Sequence, residues 1–444
     1  MNTTAKLVSF VQETSYRDFS REVIHQAKRC FLDLIGVALG GARQPVVQIL
    51  IKTLRETGGR PQATVLAHGF KTSLLNAALI NGAMAHALDF DDTHIGSIIH
   101  PSAPVVPAVL ALGERLKSTG KSALEAFVIG FEVETRIGLG LGSRHYNRGW
   151  HTTSTCGRFG AAVATGKLLG LSSLQMSRAM GLAATQASGL RLAFGTMTKP
   201  FHPGKSAFDG LLSALLAKKD FTCPSNMLEG AKGFAEALGD DDTKLNRMAK
   251  DLGGKYEILN NTFKPYAACL LTHPTIDGVF ELKNRYHLKA DDVDELSCEV
   301  ARFCLDAAGQ KEPKTGLAGK FSIYYCAALP LIEEAAGEDK FTDKKVQSSQ
   351  MVALRKKVRA RVNPALKDTE ARVTIATKDG KKYSAFINKP KGDPRNPPTD
   401  SELENKFRSL AVNILPQRKI DALIEMIWNL DKVKNLGRLL QKVS

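Results

Sequence analysis

The sequence predicts a mainly α-helical protein with a smaller α+β domain. The large helical domain is expected to be built from both chain ends, with the α+β domain inserted before the last helices. Three observations carry this expectation. At 444 residues the chain exceeds one ordinary hydrophobic core, so two domains are expected. From about residue 17 to 260 the apolar residues recur at three- and four-residue intervals. Near residue 290 that period gives way to strand-like alternation, and helical spacing returns in SELENKFRSLAVNIL. The expected boundaries are 1–264 and 400–444 for the helical domain and 265–399 for the α+β domain.

SREVIHQAKRCFLDLIGVALGGA places Val23, Ala27, Cys30, Phe31 and Leu34 on one face, and Gly40-Gly41 stops it. SLLNAALINGAMAHALDF, PVVPAVLALGERLKSTG, SALEAFVIGFEVETRIG, GRFGAAVATGKLLG and SLQMSRAMGLAATQASG continue the pattern, rich in the Ala and Gly that let helices pack closely. No strand is expected among them. ELSCEVARF and KKVRARVNP alternate as strands do. ARVTIATKDGKKYSAFI predicts a hairpin around Asp379-Gly380, a pair favoured in a type I′ turn. KPKGDPRNPPTDSE then breaks structure. The Gly/Pro-punctuated stretch FGTMTKPFHPGKSAFDG, with Lys199 and Lys205, reads as a loop between helices.

Composition narrows the function classes. The apolar share of 43% and charged share of 24% are those of a globular protein, and no apolar stretch approaches the roughly 20 residues that span a bilayer. The N-terminal residues lack the pattern of a secretory signal. The seven cysteines are scattered and free of any CxxC, which fits reduced thiols in a cytosol-like compartment. A cytoplasmic protein without membrane partner is therefore expected. The net charge of +16 is concentrated: residues 339–400 carry 16 basic and seven acidic residues, over half the excess. There the charges alternate as on the exposed face of a sheet, without the aromatic interleaving of a nucleic-acid surface, so no nucleic-acid partner is expected. A positive field that attracts small polyanions fits the same numbers.

Four polar stretches interrupt this apolar background. HALDFDDTHIGSIIHPSAP, residues 86–104, crowds three histidines, three aspartates and a threonine between two core-like segments. Buried charge is costly unless paired or used. Carboxylate and imidazole suit a divalent cation, but the spacing is neither HExxH nor an EF-hand loop. The same groups suit acid–base chemistry. They also suit helix caps, with His86 and His94 as satisfied histidines; caps at a helix break and a site in the gap are compatible. NRGWHTTSTCGRFG places His151 and four hydroxyl residues at a helix N-terminus, which offers free N–H donors to an anion. Lys199 lies in the third stretch, and Lys264 in NTFKPYAACLLTHPTIDG at the domain junction, where ligands often bind. The run GLGLGS lacks the strand and full fingerprint of a dinucleotide site. There is no P-loop and no GxSxG elbow.

Together, HALDFDDTH, HPSAPVVPAVLAL, GWHTTSTCGRFGAA, TMTKPFHPGKSA, FKPYAAC and GKFSIYY, in this order and spacing over nearly the whole chain, resemble the MmgE/PrpD family. That family includes 2-methylcitrate dehydratase, cis-aconitate decarboxylase and iminodisuccinate epimerase. The resemblance implies the same two-domain architecture, a homodimer, and a site between the domains that uses no metal or organic cofactor. By motif, it implies functional roles for Asp89, Thr93, His100, His151, Lys199, Lys264 and Tyr325. Against the decarboxylase pattern, the loop from Thr93 to His100 is one residue longer and lacks the aromatic after Thr. That difference bears on the substrate.

The expected function is a cofactor-independent carbon–oxygen lyase acting on a small di- or tricarboxylate, with dehydration of 2-methylcitrate or a similar hydroxy acid placed first. Decarboxylation of cis-aconitate, epimerisation of an iminodisuccinate-like acid, and a catalytically inactive dimeric binding protein stay open beside it. Lys199, Lys264 and Thr93 are expected to hold the substrate. His151 is the expected base, His100 its acid or orienting partner, Asp89 the carboxylate that holds an imidazole, and Tyr325 a further proton donor.

Overall fold

Short polar side chains start the helices. Ser20 accepts the Val23 N–H ahead of α1 (Arg21–Gly41), and Ser73 accepts the Asn76 N–H ahead of α2 (Leu74–His86). α3 is Ser102–Leu116; α4 (Gly120–Leu141) opens on Thr119, whose hydroxyl accepts the Ser122 N–H. α5 is Thr152–Leu168, α6 is Ser173–Thr185, and α7 is Thr198–Ala217. In this computed structural model, which describes residues 2–443, the chain divides into two compact units. One runs to Thr262 and resumes at Thr399, and the other is Phe263–Pro398.

In the first unit α7 packs on α5 and on α2, and α5 packs on α4. α2 is apolar on all sides and nearly every residue of it is buried, as such a helix must be. It crosses α7 where glycine meets glycine. A Cβ on Gly82 would lie 2.7 Å from the Gly204 Cα, and one on Gly204 would lie 2.3 Å from the Leu79 carbonyl oxygen. This close approach requires glycine at both positions, and it sets the last turn of α2 beside the first turns of α7.

The second unit contains α8 (His273–Tyr286), β3 (Val293–Val300), α9 (Ile323–Ile332), β4 (Val358–Val362), β5 (Ala371–Thr377) and β6 (Lys382–Ile387). Its sheet has the order β4-β3-β5-β6, with β3 parallel to β4 and the other neighbours antiparallel. β5 alternates buried and accessible residues, and α8 covers its buried face. The chain then returns to the first unit as α10 (Asp400–Ala411), capped by Thr399 and Glu402, and α11 (Gln417–Trp428); α10 packs on α1. The protein is thus mainly α with a smaller α+β portion. Among the described residues no single helix is long and apolar enough to cross a membrane.

Three local expectations are corrected. The first unit is not wholly helical: Ala63–Val65 and Phe70–Thr72, here β1 and β2, form an antiparallel ribbon. The strands are three residues each, too short for alternation to show. The β5–β6 turn is not type I′. Of its central residues only Gly380 has a positive φ, +82°, and Thr377 N–H donates to the Lys381 carbonyl across a three-residue loop. Finally, Lys199 and Lys205 lie inside α7, not in a loop. Pro200 falls in the first turn, where no N–H is needed, so it starts the helix where sequence reading takes it as a break.

Candidate active site

Each aspartate of the 86–104 stretch has a different task. Asp92 is the cap: it accepts from the Ser102 N–H and hydroxyl at the start of α3 and from the Asn261 amide at 2.6 Å. Asp91 is the orienting carboxylate. It takes the His86 Nδ1 at 2.8 Å and faces the His100 Nδ1 at 3.3 Å. Asp89 pairs with the Lys199 ammonium, Oδ1 to Nζ 2.5 Å. It sits at φ 52°, in the left-handed region that Asp tolerates better than most residues.

These contacts define protonation. The Lys199 ammonium also lies 3.0 Å from the His86 Nε2. An ammonium only donates, so this nitrogen accepts, and the His86 proton sits on Nδ1 and is donated to Asp91. Burial pulls His86 down to about 4 against the pull of Asp91, and the Lys199 charge adds to the effect. Burial pushes the Asp91 carboxyl up, but the two imidazoles outweigh it and hold it well below the usual carboxylate range. His86 is therefore a neutral link between a cation and an anion at pH 7.

His100 and His151 complete the cluster. The His100 ring lies edge-on to His86 with centroids 4.5 Å apart, and its Nδ1 is 3.3 Å from the Thr93 hydroxyl. Its backbone N–H donates to Thr153 in the first turn of α5. The His100 side chain is 12% accessible where His86 and Asp91 are fully enclosed, so His100 is the imidazole nearest to solvent. His151 immediately precedes α5, stacks 6.1 Å from His86, and receives the edge of Phe194 at 4.9 Å. Burial and then the Lys199 charge keep it well below its ordinary value. The N-termini of α3, α5 and α7 follow directly on His100 and His151 and carry Lys199, so three positive helix ends adjoin the imidazoles.

The cluster therefore brings together Asp89, Thr93, His100, His151 and Lys199 of the expected set. His86 and Asp91, central to it, belong to it as well. Asp89 lies 3.9 Å from the His100 Nε2 while it pairs with Lys199, and Asp91 faces the His100 Nδ1, so both carboxylates border that imidazole. His94 is a satisfied structural histidine, bonded to Ser97 at 2.8 Å and to Glu257 at 3.2 Å. Lys264 and Tyr325 belong to the second unit. There the Tyr325 hydroxyl donates to the Lys340 carbonyl at 2.5 Å, and burial pushes it well above the ordinary phenol value.

One ligand-type atom from each of His86, Asp89, Asp91 and His100 lies within 4.8 Å of the others, a donor set that divalent cations accept. In this arrangement the Lys199 ammonium faces both Asp89 and His86, and supplies the positive charge there itself.

Buried imidazoles, a paired carboxylate and ammonium, and a second carboxylate that orients two rings are the equipment of a proton-transfer enzyme. The comparison with known proteins agrees with that class. Residues 5–246 match the MmgE/PrpD N-terminal domain and residues 266–432 the MmgE/PrpD C-terminal domain, so the chain belongs to the MmgE/PrpD family, whose relatives named below are enzymes. It is 27% identical to the cis-aconitate decarboxylase of Aspergillus terreus, over 99% of this chain and 96% of that protein. It is 26% identical to the cis-aconitate decarboxylase of Homo sapiens, over 94% and 89%. It is 24% identical to the mitochondrial 2-methylcitrate dehydratase of Yarrowia lipolytica, over 77% and 69%.

Proposed function

We propose that the protein is a cofactor-independent lyase that moves protons on a small di- or tricarboxylic acid, and that decarboxylation of cis-aconitate is its reaction. The observation that carries the proposal is the convergence of His86, His100 and His151 on Lys199 and its paired Asp89. Relatives named as cis-aconitate decarboxylases that align over nearly the whole chain support this substrate.

In this reading, Lys199, Thr93 and the positive ends of the three helices hold substrate carboxylates. The C–CO2− bond breaks, CO2 leaves, and its electron pair is delocalised through the neighbouring double bond. An imidazole that has taken a proton from solvent gives it to carbon, so one proton is consumed per turnover. Cations and N–H donors stabilise the carbanion as it forms. His100 and His151 are the groups we assign to proton transfer, His151 as base and His100 as acid or orienting partner, with Asp91 holding His100 in place. Tyr325, its hydroxyl donated to Lys340, has no proton step, and Lys264 is assigned as a second cation for substrate.

Dehydration of 2-methylcitrate is the second reading. There a base takes the proton beside a carboxylate, the electron pair forms the double bond, and hydroxide leaves as water protonated by the second imidazole. The dehydratase relative supports it.

The two readings separate when purified, chelator-treated protein is incubated with cis-aconitate, citrate, 2-methylcitrate and iminodisuccinate and followed by NMR. Release of CO2 from cis-aconitate alone is expected; water loss from 2-methylcitrate alone would replace the first reading by the second. Full activity in both His100→Ala and His151→Ala would remove the proton-transfer assignment. Loss of turnover on chelation would remove the metal-free one. A homodimer, implied by family resemblance, is tested by sedimentation.

A further inference from the structure

Beside His151, ring centroids 5.2 Å apart, stands a histidine to which no role has been assigned. The His151 Nδ1 and the His202 Nδ1 are 2.9 Å apart. Two imidazole nitrogens at that distance share one proton: one ring donates and the other accepts. His202 lies on α7 one turn after Lys199, so a single helix presents the ammonium and this second ring to the same side. Its main chain is braced in turn. Ser206 donates to the His202 carbonyl and to the Ser154 carbonyl, which ties α7 to the first turn of α5 just after His151.

Both rings are neutral. Burial, then the Arg158 and Lys199 charges, bring His202 to about 4, and His151 is likewise held down. Which ring donates decides what His151 can do. If His202 donates, the His151 proton is on Nε2, and its only lone pair is already used; such a ring can give a proton and never take one. If His151 donates its Nδ1–H, its Nε2 carries a free lone pair, and the ring can take a proton, from solvent in decarboxylation or from substrate in dehydration, and pass it on. A neutral acceptor behind it, unlike a carboxylate, leaves the imidazolium a strong acid, suited to giving the proton back.

We propose that His202 is a positioning residue for His151: its Nδ1 accepts the His151 Nδ1–H and so leaves the His151 Nε2 lone pair to take up the proton that the ring transfers. This rests on the proton-transfer role proposed for His151, and it is tested in two independent ways. In protein labelled with ¹⁵N at histidine, without substrate, the His151 Nε2 is expected to resonate as an unprotonated, pyridine-type nitrogen. His202→Leu should convert part of that signal to the protonated type. A protonated Nε2 in the wild type overturns the proposal whether or not the protein turns over any acid.

In kinetics, His202→Leu should lower kcat on the order of 10²-fold, less than the ~10⁴-fold cost of a wrong tautomer beside a charged partner. KM should stay within about twofold. His202→Asn, whose amide oxygen can take the place of the Nδ1 acceptor, should recover most of the loss, and it serves if the leucine variant does not fold. His202→Leu with unchanged kcat, or asparagine and leucine equally impaired, would overturn it. If the wild type converts none of the acids, the functional reading fails, and the tautomer measurement still decides the role of His202.

Discussion

At the level of single residues, the site is a small set of forced hydrogen-bond directions. An ammonium can only donate and a carboxylate can only accept, so the chain Lys199–His86–Asp91 has one arrangement of protons. Asp91→Asn breaks it. The amide cannot accept from two imidazoles as a carboxylate does, and we expect kcat to fall by about 10²–10⁴-fold, read in the CO2-release assay. The charge count has a further consequence. The cluster holds one ammonium, Lys199, and two carboxylates, Asp89 beside it and Asp91 beyond His86, and His86, His151 and His202 are neutral. A polyanion entering beside them raises their proton affinity, so binding should take up protons; calorimetry in buffers of different ionisation enthalpy measures the number, and zero uptake would contradict this picture. Stability follows the same groups. His86 has a folded value of about 4, below the ordinary 6.5, so between these values the unfolded chain binds more protons and stability falls as pH falls from about 6.5 towards 4. Asp92 acts oppositely: burial brings it up to about 7 from 3.8, so its share of stability is lost as pH rises through that window. Urea unfolding should therefore show a shallower acid loss in His86→Phe than in the wild type.

Among the elements, the crossing of α2 and α7 places His86 against Lys199. Gly82→Ala puts a methyl group where the Gly204 backbone stands, and the helices must separate or bend. We expect a loss of about 1–3 kcal/mol in urea unfolding and a disproportionate loss of activity, since the displaced contact is the 3.0 Å link between Lys199 and His86. Gly59→Ala, in the loop ahead of β1, is a comparison at a glycine far along the chain from this crossing; it should lower stability through its φ of +151° without that excess loss of activity. Most of the helices could be read from their caps and apolar spacing, and so could the switch to strands near residue 290. The start of α7 could not. Its prolines look like loop punctuation, yet Pro200 falls in the first turn, where no N–H is needed, and Pro203 is accommodated inside the helix. Once α7 is known to be helical, the spacing of Lys199 and His202 follows, and with it the residue that local reading passed over.

For the whole molecule, the last segment closes the first unit. Lys406 on α10 donates to Asp33 at 2.7 Å and to the Phe90 carbonyl at 2.6 Å, joining α1 to the loop that carries Asp89 and Asp91. Asp33 is fully buried, so Lys406→Met removes the cation that answers its charge; a cost of about 3 kcal/mol in urea unfolding is expected. A double substitution with Asp33→Asn should recover part of it. What the sequence by itself determined is the family, the mainly helical class with a smaller α+β portion, and the stretches in which chemistry is concentrated, because period, capping and order of motifs are local properties of a chain. What only the tertiary structure decided is the arrangement: Asp91 beside Asp89 at the His100 ring, His86 as a link and not a bystander, His202 beside His151. Those roles depend on distances of a few ångströms between residues up to 113 positions apart, and such distances arise from helix packing, which no local pattern encodes.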